Sequence, residues 1–296
     1  MTLQTSEDPT MHLPRILAAL ALAAALAPGA ARAAHGFDNC TGFIDSLPAT
    51  LSTQGTWCLR KDLASAQTAG AAITIATNNV TIDCNDFKIG GLAAGPATGA
   101  TGILANHRLN ATVRRCSIRG FRAGLDFSDI DAGGHLVEDN RFEANTSLGL
   151  NVEGDGSLVR RNVVRDTGGT MGDAVGLRVA GDVDVRDNTI AGVAPLAAED
   201  GSAMAAGILT YLNSSGTIRG NRVRGLVPLG PGLSYGILNS MSGHISVQDN
   251  LMATQVQGHY GVLCSNGQAR LQDNIVNGFA NGQSGCSSLQ SNDFTP

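Results

Sequence analysis

Nine copies of one short phrase, apolar-x-x-Asn-x-apolar, recur along the chain, and a phrase repeated at uneven intervals commits a polypeptide to stacked coils rather than to one closed core. The copies run Ile82 to Phe87, Val113 to Ile118, Val137 to Phe142, Val159 to Val164, Val185 to Ile190, Ile218 to Val223, Val247 to Met252, Leu271 to Val276 and Leu289 to Phe294. Their constant member is Asn85, Asn140, Asn162, Asn188, Asn221, Asn250, Asn274 and Asn292, with Cys116 in its place in the second copy. Successive copies lie about 18 to 33 residues apart, as coils with loops of varying length would be.

A second phrase, Gly followed by an apolar residue, precedes most of these copies: Gly102-Ile103, Gly124-Leu125, Gly149-Leu150, Gly176-Leu177, Gly207-Ile208, Gly236-Ile237 and Gly261-Val262. Each coil therefore reads as one short strand from the Gly onward, a turn, and two more strands bent at the Asn. Three strands per coil with period-two alternation predict an all-β chain, a parallel β-helix of about nine coils. Uneven repeat length and the lack of a helical period exclude ankyrin-like and leucine-rich repeats. The Asn is expected to supply the left-handed conformation of the bend and to bond to the Asn above and below it. A stacked row satisfies itself, whereas one buried unpaired amide would cost about 1 to 3 kcal/mol.

Residues 34–72 contain Trp57 and two cysteines but no Asn phrase, and are expected to cap the stack, with the β-helix over 73–296. Ahead of them, Met11, Arg15, the apolar run to Ala27, Pro28-Gly29 and Ala31-Arg32-Ala33 read as a secretory signal over 1–33, with Met11 as the candidate start. The run is too short to span a bilayer, which needs about 20 apolar residues. A secreted or periplasmic location follows.

All six cysteines lie beyond the signal. Six allow 15 connectivities, and pairing them as neighbours gives Cys40 with Cys58, Cys84 with Cys116 and Cys264 with Cys286. The last two would staple adjacent coils. Zinc is the alternative, but no Cys-x-x-Cys or His-x-x-x-His spacing occurs. Without Arg15, Arg32, Glu7 and Asp8 the chain keeps 18 basic against 23 acidic residues, which argues against a nucleic-acid partner.

At its repeat phrases the chain resembles the pectin-lyase-like right-handed parallel β-helix superfamily, in particular its exported bacterial repeat proteins, over about Ile73 to Phe294. The resemblance implies a right-handed coil, a groove along the first strand of each coil, and action on acidic polysaccharides. The enzymes' motifs are missing. Of the polygalacturonase set only Gly258-His259-Tyr260 and Gly243-His244-Ile245 come near, no Asp-Asp occurs, and the Asp-Pro-His-Asp of alginate epimerases is absent. A lyase's calcium carboxylates and arginine are not found either. No robust pectinase or alginate-degrading activity is expected.

Taking the residue two after each Gly as outward-facing gives the strip Leu104, Asp126, Asn151, Arg178, Leu209, Leu238, Leu263, polar in its first part and apolar in its last. Tyr235 and Tyr260 stand at equivalent places in consecutive coils and Tyr211 lies on the same strip. With Asp126, Asn151 and Arg178 they are the candidate substrate-binding groups, and loops covering them are the alternative. His259 is the candidate proton carrier, and Glu199 with Asp200, in the loop 193–206, the candidate carboxylates. Asp126, Asp129 and Asp131 before Gly133-Gly134 could hold Ca²⁺ if that loop folds back, though no recognised calcium loop is present. Beside the Asn positions the charges alternate, Arg114, Glu138, Arg160 and Arg115, Asp139, Arg161, Asp187, as a surface ion-pair ladder would. Two functions follow: an exported β-helix that binds or acts on a polysaccharide, or a non-catalytic structural or adhesive envelope protein.

Overall fold

Strands of like position pair in parallel, coil upon coil, in the computed structural model, which describes residues 37–169, 172–241, 243–265, 268–288 and 291–296. The expected signal over 1–33 and Leu289 of the ninth phrase lie outside the described residues. Three ladders result. The first runs through Ala71–Ile75, Thr101–Asn106, Ala123–Ser128 and Leu148–Glu153, then 174–180, 205–211, Ser234–Ser240 and 258–265. The second holds the strands leading into each Asn, such as Thr112–Arg114, Leu136–Glu138 and Ser157–Arg160, and the third those leaving it, such as Ser117–Arg119, Arg141–Glu143 and Val163–Thr167. This is the expected parallel β-helix.

Residues 37–72, expected as a cap, are themselves built as coil. Ala49–Leu51, Gly55–Cys58 and Leu63–Ala64 pair in register with Ala71–Ile75, Val80–Asp83 and Lys88–Gly90. The interior is a column of aliphatic side chains from all three sheets. Ile103, Leu125, Leu150, Leu177, Ile208 and Ile237 form its first-sheet wall at 0% exposure, and each such side chain contributes about 1.5 to 3 kcal/mol by leaving water.

Inside that column the amides form one continuous spine. From Asn140 through Asn162, Asn188, Asn221, Asn250 and Asn274 to Asn292, each Nδ2 donates to the Oδ1 of the next residue at 2.9 to 3.0 Å. The backbone N–H of each also donates to that same Oδ1. Asn85 stands apart, because the intervening Cys116 has no amide to pass the chain on. Cys116 donates its N–H to Asn140 Oδ1 at 3.0 Å and is held to Cys84 by a disulfide. The other two bridges are Cys40–Cys58 and Cys264–Cys286, as the neighbour pairing expected.

The bend itself is made differently from the expectation. In most coils the left-handed residue is the one before the Asn: Arg115, Asp139, Arg161, Asp187, Asp249, Asp273 and Ser291 all have φ between 53° and 77°, and Gly220 takes the same place at 68°. Only Asn85 is left-handed itself, at 47°. The other amides are committed to axial bonding, so the chain reverses one residue earlier. The Gly row has a steric origin: a Cβ at Gly149 would lie 2.3 Å from the carbonyl oxygen of Gly176 and 2.5 Å from Val164 Cγ1.

One buried ionisable group gives the fold a pH dependence. His135, 3% exposed, packs against the Phe127 ring at 4.8 Å, and its Nδ1 accepts the Ala111 N–H at 3.2 Å. Burial pushes its pKa down to about 4 from 6.5. The unfolded chain therefore binds this proton more readily. Its contribution is complete above pH 6.5 and is lost as the pH falls towards 4, by at most about 3 kcal/mol. Urea titrations at pH 7 and pH 4.5 should show that loss in the wild type, and His135→Asn, which keeps an acceptor for Ala111, should remove most of it.

Candidate functional site

Alternation within the first-sheet strands sends one set of side chains into the core and the next out to solvent. Register lines the outward set up coil by coil as Leu104, Asp126, Asn151, Arg178, Leu209, Leu238 and Leu263, the strip expected from the Gly phrases. With strands about 4.8 Å apart, side chains one coil apart can bond directly.

They do so in the polar half. Asn151 Nδ2 donates to Asp126 Oδ1 at 2.9 Å and to Glu153 Oε1 at 2.8 Å, while its Oδ1 accepts Arg178 Nε at 3.0 Å. The Tyr211 hydroxyl donates to Glu153 Oε1, and the Arg178 guanidinium lies 5.1 Å from the centre of the Tyr211 ring. Arg122 reaches Asp126 at 3.8 Å. Glu153 Oε2 accepts the N–H of Asp129 at 3.0 Å. Asn151 is fully buried and Glu153 8% exposed beneath the partly exposed Arg178 and Tyr211. Burial, and then the hydrogen bond to Glu153, raise the Tyr211 pKa, so its hydroxyl keeps its proton.

Glu153 and Arg122 were not among the residues expected from sequence. Glu153 is two positions beyond Asn151, so carrying the outward alternation one step further along each strand would have found it. The calcium expectation is corrected. Asp126 is taken by Asn151 and Arg122, and Asp129 by His107 and the N–H of Asp131. The three carboxylates do not converge, and among the described residues no group of His, Cys, Asp or Glu is arranged to hold a metal ion.

In the apolar half, a second row of outward side chains, Ala123, Leu148, Val175, Ala206 and Tyr235, is buried together outside the bore, with Leu209, Leu238, Tyr260 and Leu263 packed beside it. Tyr235 is 9% exposed and stacks on Tyr260 with ring centres 5.8 Å apart and planes 11° from parallel. One face of each ring is thus spent on the other. His259 is pinned to the coil before it: its Nδ1 lies 3.1 Å from the Ser234 N–H that donates to it, and its own N–H donates to Ser234 Oγ at 3.0 Å. Glu199 and Asp200 are exposed in their loop, and Asp200 Oδ1 accepts the Ser202 N–H at 3.0 Å. Among the described residues no hydrogen bond or ion pair joins either carboxylate to His259 or to the polar cluster.

The expected ion-pair ladder is present in part. Arg160 meets Glu138 and Arg161 meets Asp139, both at 2.7 Å. Arg114 and Arg115, however, both turn to the buried Asp83 of the preceding coil, at 2.9 and 2.5 Å. Further along, Arg186 pairs with Asp184 of its own strand and Arg219 with Asp249.

A family model described as a right-handed β-helix region matches residues 60–221 and again 130–295. No curated protein matches the chain by sequence. Among solved structures, a variant of the DFA-IIIase of Arthrobacter chlorophenolicus A6 in complex with DFA-III is similar over 79% of this chain at 12% identity and a TM-score of 0.45. The chain spans 64% of that protein's length. The same enzyme without its lid, in complex with GF2, gives 13% identity over 80% of this chain and 69% of that one, with a TM-score of 0.48. The mannuronan C-5 epimerase A-module of Azotobacter vinelandii gives 11% identity over 88% of this chain and 92% of that one, with a TM-score of 0.46. Among the described residues no helix is long and apolar enough to cross a membrane.

Proposed function

The chain belongs to the right-handed β-helix family, and on that premise we propose that it is an exported protein that binds a polysaccharide lengthwise along the outer face of the first sheet. The observation that carries this reading is the Asp126, Asn151, Glu153, Arg178 and Tyr211 cluster, five polar groups from four successive coils joined by hydrogen bonds and a ring contact. Sugar hydroxyls donate and accept at once, and the cluster offers carboxylate acceptors and a guanidinium donor side by side. The adjoining Leu209, Leu238 and Leu263 row, with Tyr260, suits the apolar faces of sugar rings. Coils about 4.8 Å apart allow successive sugar units to meet successive coils.

Binding rather than turnover fits the state of the carboxylates. Glu153 Oε1 accepts from Tyr211 and Asn151 and Oε2 from the Asp129 N–H, so this carboxylate is held in place as a hydrogen-bond acceptor. The paired cysteines agree with an oxidising compartment, periplasmic or extracellular.

A glycan-array screen followed by calorimetry on the best ligand tests this. Arg178→Ala should weaken binding about tenfold, the loss of one charge-assisted hydrogen bond of roughly 1.5 kcal/mol. Tyr260→Ala should weaken it by a smaller factor, and neither variant should change the unfolding free energy by more than about 1 kcal/mol. Wild-type protein that retains no glycan, or variants that bind as it does, would refute the reading.

A further inference from the structure

Several arginines on this protein are matched to acids: Arg60 to Asp45, Arg160 to Glu138, Arg186 to Asp184 and Arg219 to Asp249. On the outer face of the third sheet three are not. Arg165, Arg222 and Arg224 are exposed there, and among the described residues none of them forms an ion pair.

Register shows what lies between them. Arg165, Ala191, Arg224 and Ala253 occupy one row in four successive coils. Arg165 and Arg224 are therefore two coils, about 10 Å, apart. Ala191 between them reaches no further than its Cβ, and Gly192 and Gly225 carry no side chain at the adjoining corner. The result is a concavity of about 560 Å³, floored by Ala191 and Ala253 and walled by the two arginines. Arg222 lies two residues before Arg224 on the same exposed side of its strand. The acids nearby are few. Asp166 lines the concavity, and Glu143, one coil before Arg165, is engaged by Arg141. Two guanidinium groups, Arg165 and Arg224, thus line a concavity that holds one carboxylate, Asp166.

The geometry points to a second binding site here, for a polysaccharide bearing carboxylates, with Arg165 and Arg224 each taking one carboxylate and Ala191 leaving room for the sugar between. A guanidinium presents paired N–H donors that match a carboxylate's two oxygens. Asp166 can accept from sugar hydroxyls. No aromatic ring lines the concavity, so the stacking platform that single-stranded nucleic acids use is missing. This site lies on a different sheet from the Arg178 cluster and does not depend on it.

Calorimetry with oligogalacturonate at low salt, using the full chain, tests the assignment. Wild type should bind, and Arg165→Gln combined with Arg224→Gln should weaken binding by at least about 30-fold, since each charge-assisted contact is worth about tenfold or more. Ala191→Glu, which places a carboxylate in the gap, should cause a loss of similar size, while Arg60→Gln, at the ion pair with Asp45, should leave this binding unchanged. Circular dichroism would confirm that each variant is folded. The assignment is overturned if wild type fails to bind, if the double variant binds as well as wild type, or if the methyl-esterified oligomer, dextran sulfate or single-stranded DNA binds as tightly as the free acid.

Discussion

Asn188→Ala should lower stability by about 4 kcal/mol, because it breaks the amide spine at an enclosed point and orphans donors on the coil before it. Asn188 is 1% exposed. Its Oδ1 accepts both the N–H and the Nδ2 of Asn162, at 2.9 and 3.0 Å, and its own Nδ2 bonds to Val159 O and Asn221 Oδ1. Alanine removes both acceptor contacts, and water cannot reach the gap to replace them. Two buried donors left without partners cost about 1 to 3 kcal/mol each. Asn292→Ala makes the internal comparison, since Asn292 receives the same two bonds from Asn274 but is partly exposed. There water can substitute, and the loss should be about 1 kcal/mol. Stacked coils need not unfold as one unit, so amide exchange of individual coils is the better measure than a single midpoint. Equal effects from the two substitutions would show that the spine is merely a row of local bonds.

Replacing Cys84 and Cys116 together by Ser should destabilise the chain by about 3.5 kcal/mol, the chain-entropy value for a closed loop of this length. The bridged residues are 32 apart in sequence. The effect should be concentrated on the coils around Asn85, because this bridge stands where the spine is interrupted. Cys116→Asn in a Cys84→Ser background tests that point, since the new amide would lie next to Asn140 and should recover about 1 to 2 kcal/mol. Exchange protection that falls equally throughout the stack, or no recovery from Cys116→Asn, would show that the bridge and the spine do not substitute for one another.

Much of the fold was legible in the chain. The Asn phrase marks the corner between second and third sheets, the Gly phrase marks the first sheet, and alternation from that Gly picked out the outward strip in the register observed. Pairing the cysteines as neighbours succeeded because each bridge joins residues of the same or adjacent coils. The site was legible only in outline. Asp126, Asn151, Arg178 and Tyr211 were expected and do come together, whereas Glu153, which binds Tyr211 and Asn151, was missed by reading one outward position per strand. The mutual stacking of Tyr235 and Tyr260 could not be read either, since it depends on how neighbouring side chains pack outside the bore.

By itself, then, the order of residues determined the architecture: inward apolar positions, a Gly where coils touch, and an amide at each corner are local requirements that every turn meets separately. Tertiary structure alone decided the pairing of charges. An arginine at a corner can reach a carboxylate in the coil before it or the coil after it, and which it takes depends on burial and competition at that spot. Arg115 turns back to the buried Asp83 while Arg219 meets Asp249 of the coil after it, and Arg165 and Arg224 are left facing each other across an alanine.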